Sequence, residues 1–120
     1  MAVSINLEGK KAIVFGVANE KSIAYSIAKR LDEEGVKVAI AYQPRVEMLA
    51  LNALKDFKNA VAFPCDVVDN ALMDSFFESV KKEFGNVDFL VHSIAFAKRE
   101  HLQGKFFEVN KRGFEVAQEV

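Results

Sequence analysis

The residues best placed to do chemistry sit in four short stretches, each at the carboxyl end of an apolar run. The first is "VFGVANEKSIA", Val14 to Ala24, where Gly16 follows a run of apolar residues and Ser22 precedes a helical pattern. A glycine here lets the backbone turn sharply and leaves room for a phosphate, where a side chain would collide with the ligand or strain the chain. The helix beginning near Ser22 offers unpaired N–H groups and the positive end of its dipole, which suits a pyrophosphate. Ala24 and Ala28 are small enough to let that helix approach a sheet closely. A dinucleotide turn usually carries three glycines and this one has a single glycine, so spacing alone leaves a phosphate cradle and a plain strand-to-helix turn both open.

The second stretch is "AYQPR", where a carboxylate would ordinarily read the ribose 2′-hydroxyl. Gln43 stands there instead; its amide can bond a hydroxyl. Arg45 could attract a 2′-phosphate, or could simply open the next helix as an exposed residue, the reading preferred from sequence. The third is "CDV": the Asp66 carboxylate and the Val67 N–H match the donor–acceptor edge of adenine, and an Asx turn is the simpler alternative. The fourth, Ser93-Ile94-Ala95, is small enough for backbone to pass a nicotinamide-ribose.

Other reactive residues lead nowhere. His92 and His101 lack metal-ligand spacing, so no metal site is expected. Cys65 has no basic neighbour to lower its pKa and no second cysteine to pair with. One cysteine and the absence of a basic, apolar leader in "MAVSINLEGKK" point to a cytoplasmic chain. A net charge of -1 gives no footprint for nucleic acid, and no apolar run is long enough for a membrane span.

The elements that must position these stretches are legible as strands alternating with helices. Strands are expected at residues 11–15, Val36–Tyr42, Ala60–Asp66 and Val87–Phe96, the last running into a loop. Helices are expected from Ile23 to Glu34 with Ile23, Ile27 and Leu31 in register, from about Arg45 to Asp56, from Asp69 or Asn70 to Phe84, and from roughly Asn110 onward without a cap before Val120. Gly35 and Gly85 stop the first and third. This alternation means βαβ units and a parallel sheet, an α/β fold whose ligands bind beyond the strands' carboxyl ends.

With all four ends in view, the sequence resembles the enoyl-acyl-carrier-protein reductases, the NADH-using branch of the short-chain dehydrogenase/reductase superfamily. The matching stretches are "GVANEKSIAYSIAK", "AYQ", "CDV" and "FLVHSIAFA", with weaker similarity through "FFEVNKRGFEVAQE". The glycine-poor loop followed by Ser-Ile-Ala is specific to that branch, so the loop looks complete in its own design. The resemblance implies a Rossmann-like sheet of about four strands in order 3-2-1-4, flanked by helices, with "FLVHSI" as an apolar edge. It implies NADH as cofactor, NADPH not excluded: Gly16, Ala18, Ser22 and Ile23 near the pyrophosphate and ribose, Gln43 near the adenosine, Asp66 and Val67 at the adenine, and Ser93, Ile94 and Ala95 near the nicotinamide.

It further implies reduction of trans-2-enoyl thioesters on acyl carrier protein in dissociated fatty acid synthesis, by a homo-oligomer, usually a tetramer. The family's catalytic tyrosines and lysine follow a fifth strand, so residues 1–120 are expected to be the dinucleotide-binding portion of a single domain truncated before its catalytic segment, inactive alone. Tyr25-x-x-x-Lys29 imitates the superfamily's catalytic pair, but it lies on the first helix, out of reach of the nicotinamide. A binding module without redox chemistry and another short-chain dehydrogenase are the alternatives.

Overall fold

A computed structural model describes residues 5–120; the first residues of the amino-terminal stretch "MAVSINLEGKK" lie outside it. Four strands form one parallel sheet: β1 (Lys11–Phe15), β2 (Lys37–Tyr42), β3 (Ala60–Pro64) and β4 (Phe89–His92), in the order β3-β2-β1-β4. This is the expected Rossmann-like order. Phe15 sits opposite Ala41 on one side and His92 on the other, and Tyr42 opposite Pro64, so the four carboxyl ends lie abreast.

Side chains alternate across a strand, and that alternation builds two cores. Ala12, Val14, Val38 and Ile40 face one layer with Ala24, Ala28 and Val36. Ile13, Phe15, Ala39 and Ala41 face the other with Phe76, Val80 and Phe84. Both faces are covered near β1 and β2, which is why those strands read as continuous apolar runs.

Helix α1 (Ile23–Glu33) lays Ala24, Ala28 and Asp32 against the sheet, while Ile23 is 76% exposed. The inward face is therefore one position round from the Ile23-Ile27-Leu31 row. Small residues win the face because a helix crossing a parallel sheet packs on its backbone. Buried Asp32 holds the turn into β3: its carboxylate accepts the Lys58 and Asn59 N–H groups, both at 2.8 Å.

The second helix departs from expectation. Pro44 opens a 3₁₀ turn (Pro44–Val46), and α2 covers only Glu47–Ala53. Proline favours such an opening because its fixed φ suits a first turn and it has no N–H to place. Helix α3 (Asn70–Phe84) is capped by the Asp69 carboxylate, which accepts the Leu72 N–H at 3.1 Å, and closed by Gly85 at φ +77°.

The β4 ladder is shorter than the apolar run, because beyond His92 only Ser93 still bonds to β1, its N–H donating to Phe15 O at 3.1 Å. At this edge Leu90 is 58% exposed. Two 3₁₀ turns, Arg99–His101 and Phe106–Glu108, lead to α4 (Lys111–Gln118), which Asn110 caps through the Gly113 N–H at 2.7 Å. The regular part of α4 runs to Gln118, and Glu119 keeps helical backbone with φ -66° and ψ -22°, its N–H donating to Glu115 O at 3.0 Å. No helix among the described residues is long and apolar enough to cross a membrane.

Candidate functional site

The four strand ends converge on one cleft of about 660 Å³. Eight of the ten site residues read from sequence line it: Gly16 and Ala18 from the first end, Gln43 from the second, Asp66 and Val67 from the third, and Ser93, Ile94 and Ala95 from the fourth. Ser22 and Ile23 stand outside the lining.

Gly16 has φ +116°, a conformation that disfavours any residue with a Cβ. A Cβ there would run into the Ser93 carbonyl oxygen, lie 2.8 Å from the Ser93 carbonyl carbon and 3.3 Å from Ala24 Cβ. Its first use is thus closer to home than a phosphate: it lets β1, β4 and α1 meet at one point. The same bare backbone forms part of the cleft wall.

Ser22 occupies the N-cap position of α1 in extended conformation, but its hydroxyl does not cap that helix. Its Oγ reaches back and accepts the Ala18 N–H at 3.0 Å and the Asn19 N–H at 3.1 Å. Asn19 in turn accepts the Lys21 N–H at 2.8 Å through its side chain. These bonds hold the loop in shape without further glycines. They also leave the first-turn amides Ile23 N–H and Ala24 N–H without a partner among the described residues.

At the second end, Arg45 Nε donates to Gln43 Oε1 at 2.8 Å, and both residues line the cleft. The neighbouring Tyr42 phenol is buried and donates to Glu47 Oε1 at 2.7 Å. Burial first, then the Glu47 bond and charge, push the Tyr42 pKa up to about 12. At the third end, the Asx turn forms. Asp66 Oδ1 accepts the Val68 N–H at 3.1 Å, an Asx turn, while the Val67 N–H has no partner among the described residues. Asp66 thus keeps its second oxygen, beside a free donor one residue on. Cys65 is buried here; burial first and then the Asp66 and Asp69 carboxylates raise its thiol pKa, so it stays protonated and inert.

Sequence reasoning missed one wall. Val116, Glu119 and Val120, at the far end of α4, also line the cleft. No local pattern marks them, since their approach depends on how residues 93–110 carry the chain back. His101 packs against Gly113 in that segment: a Cβ on Gly113 would overlap the imidazole. The Tyr25–Lys29 pair sits elsewhere. Tyr25 packs edge-on to Phe57 with ring centroids 5.7 Å apart, and Lys29 Nζ donates to Asp56 O at 2.9 Å. Neither lines the cleft.

Comparison with known proteins agrees with this geometry. A family model described as enoyl-(acyl carrier protein) reductase matches residues 16–120. The enoyl-[acyl-carrier-protein] reductase [NADH] FabI of Enterococcus faecalis is 40% identical over 114 residues, covering 95% of this chain and 45% of that protein. The [NADPH] FabI of Staphylococcus aureus is 37% identical over 119 residues, covering 97% of this chain and 46% of that protein. The crystal structure of the Anaplasma phagocytophilum reductase in complex with NAD superposes with a TM-score of 0.88 at 31% identity, over 99% of this chain and 46% of that one. The chain thus spans a little under half the length of the relatives it matches. It belongs to the enoyl-(acyl carrier protein) reductase family.

Proposed function

We propose that these residues form the dinucleotide-binding portion of an enoyl-acyl-carrier-protein reductase that takes NADH, with NADPH admissible. The observation that carries this reading is the convergence of Gly16, Gln43, Asp66 and Ser93, from four separate strand ends, on one cleft. The donor set fits the group. Asp66 and the free Val67 N–H offer an acceptor and a donor for the adenine edge, and Gln43 offers an amide to the ribose. Gly16 and Ala18 let backbone approach a pyrophosphate, Ser22 fixes the loop beside it, and the unpartnered Ile23 N–H at the start of α1, though outside the cleft lining, would favour its negative charge. Ser93, Ile94 and Ala95 form a mostly apolar wall for the nicotinamide side, which keeps water from the reacting face.

When bound, the cofactor supplies a hydride to the β-carbon of a trans-2-enoyl thioester carried on acyl carrier protein. This chain's own residues bind and orient; the reading assigns none of them a catalytic role, because no tyrosine lines the cleft. Cytoplasmic fatty acid synthesis and a homo-oligomeric, tetrameric whole enzyme complete the reading.

Two experiments test it. Calorimetric titration with NADH and with AMP is expected to show tighter binding of NADH, since both ends of the cleft then contribute; equal affinities would remove the nicotinamide side from the reading. Incubation of the 120-residue chain with NADH and crotonyl thioester is expected to give no turnover, and turnover would place a catalytic residue within it.

A further inference from the structure

One edge of the sheet is β4, whose single neighbour among the described residues is β1. Its sequence, Phe89-Leu90-Val91-His92, is apolar until the last residue, and neither lysine nor proline guards it. Edges usually carry such guards, because an unpaired row of N–H and C=O groups recruits another strand. The Ser93 N–H turns inward to Phe15 O. Successive strand residues direct their backbone groups to opposite sides, so Val91 and Phe89 also turn toward β1 while Leu90 and His92 direct theirs outward.

The side chains follow the register. Leu90 stands opposite Ile13 and His92 opposite Phe15, on the α3 face, with Phe89 and Val91 on the α1 face. Beside this edge Ile13, Phe77, Val80, Val87 and Leu90 line an open groove of about 480 Å³. Phe77, Val87, Phe89 and Leu90 are all exposed, an apolar patch of the kind that marks an interaction surface. The strand is complementary to itself. In an antiparallel pair about a two-fold axis at Leu90, each Leu90 meets its counterpart, Phe89 meets the partner's Val91, and Asp88 meets the partner's His92. Leu90 suits the axis because an outward-facing residue can exchange both N–H···O=C bonds with its counterpart. An axis at His92 would set two imidazoles against each other and leave Asp88 unmatched. Asp88 is exposed; its Oδ2 accepts the Lys11 N–H at 2.9 Å, and no ion pair engages its charge among the described residues.

We propose that this 120-residue chain forms a two-fold dimer through antiparallel pairing of its β4 edges, joining two four-stranded sheets into one across the apolar grooves. The partner is a second copy of the chain because the acidic, apolar and imidazole positions of residues 88–92 match themselves in reverse. The contact is independent of the dinucleotide reading of the cleft.

Sedimentation velocity over a wide range of protein concentration is expected to show a reversible equilibrium between monomer and dimer. Leu90→Lys sets two cations against each other on the axis, and His92→Asp sets carboxylate against carboxylate. Each is expected to raise the dimer Kd about tenfold or more, whereas His92→Lys, which keeps a cation opposite Asp88, should hold it within about threefold. Disulfide trapping reads the register. On an axis at Leu90 the two Cα atoms would lie about 5.5 Å apart, within bridging distance. Under a mild oxidant Leu90→Cys should therefore give a covalent dimer, and His92→Cys, also exposed, should not. The trapping decides the matter even where Leu90→Lys fails to fold, since neither cysteine variant alters the buried core. A parent that stays monomeric at every concentration, a dimer indifferent to His92→Asp, or trapping through His92→Cys rather than Leu90→Cys would each overturn the proposal.

Discussion

Replacing Gly16 by alanine isolates the contact on which the first strand end depends. The new Cβ meets the Ser93 carbonyl, whose carbon would be 2.8 Å away, and crowds Ala24 Cβ at 3.3 Å. Neither neighbour can swing aside, because one is backbone and the other a methyl on a buried helix face. Holding a non-glycine residue at φ +116° costs about 1–3 kcal/mol, and forcing apart a packed contact costs about as much again. The expected loss is therefore about 2–6 kcal/mol, a large part of the ~5–15 kcal/mol that keeps a domain folded. Gly85→Ala is the control. It too has positive φ, +77°, with ψ -62°, but nothing lies within 4 Å of the added Cβ, so only backbone strain of about 1–3 kcal/mol is expected. In urea, with a slope near about 1.5 kcal/mol per molar, Gly16→Ala should lower the midpoint by roughly 1–4 M and Gly85→Ala by roughly 1–2 M, the smaller shift of the two. NADH affinity should fall for Gly16→Ala and hold for Gly85→Ala. Equal midpoint shifts for the two variants would refute the claim that β1, β4 and α1 meet too closely for a side chain.

Ser22→Ala removes the acceptor for the Ala18 and Asn19 amides, and is expected to weaken NADH binding by about tenfold, each unmade bond costing on the order of 1 kcal/mol; calorimetry that shows unchanged affinity would contradict the loop's construction. Tyr42 should ionise near pH 12 in the folded chain, against about 10 unfolded, so its contribution is fully present below pH 10 and lost as pH rises from there through 12. Ultraviolet titration of the phenolate reads this directly, and Glu47→Gln should bring the value down; a Tyr42 that ionises at the ordinary value would show that the Glu47 bond and the burial are not maintained. Cys65 should resist a thiol reagent at mildly alkaline pH until the chain unfolds, and fast labelling of the native protein would contradict its burial.

The ends of β1 and β2 were legible in the sequence because a strand covered on both faces is an unbroken apolar run, and these runs stop at Gly16 and at Gln43 before Pro44. The third and fourth runs read on in sequence to Asp66 and Phe96, whereas β3 ends at Pro64 and the exposed edge strand β4 at His92. The capping of α3 by Asp69 and its stop at Gly85 follow from local chemistry alone. The inward face of α1 was harder. Two rows, isoleucine and alanine, both recur at helical spacing, and closeness to the sheet chose the smaller. The bonds that shape the site are the least legible. Ser22 turning backward to its own loop and Arg45 turning back to Gln43 are choices among rotamers that sequence leaves equal. The α4 wall depends on the whole path from Ser93 to Asn110, which carries no periodic signal of its own.

Amide chemical-shift mapping with NADH on the isotope-labelled chain tests the convergence of the four ends most directly. Gly16, Gln43, Val67 and Ser93 should shift together along a single saturation curve, while Lys29 and Phe57, which pack on each other away from the cleft, stay still. Shifts confined to one strand end, or scattered over the outer helices, would contradict a shared dinucleotide cleft.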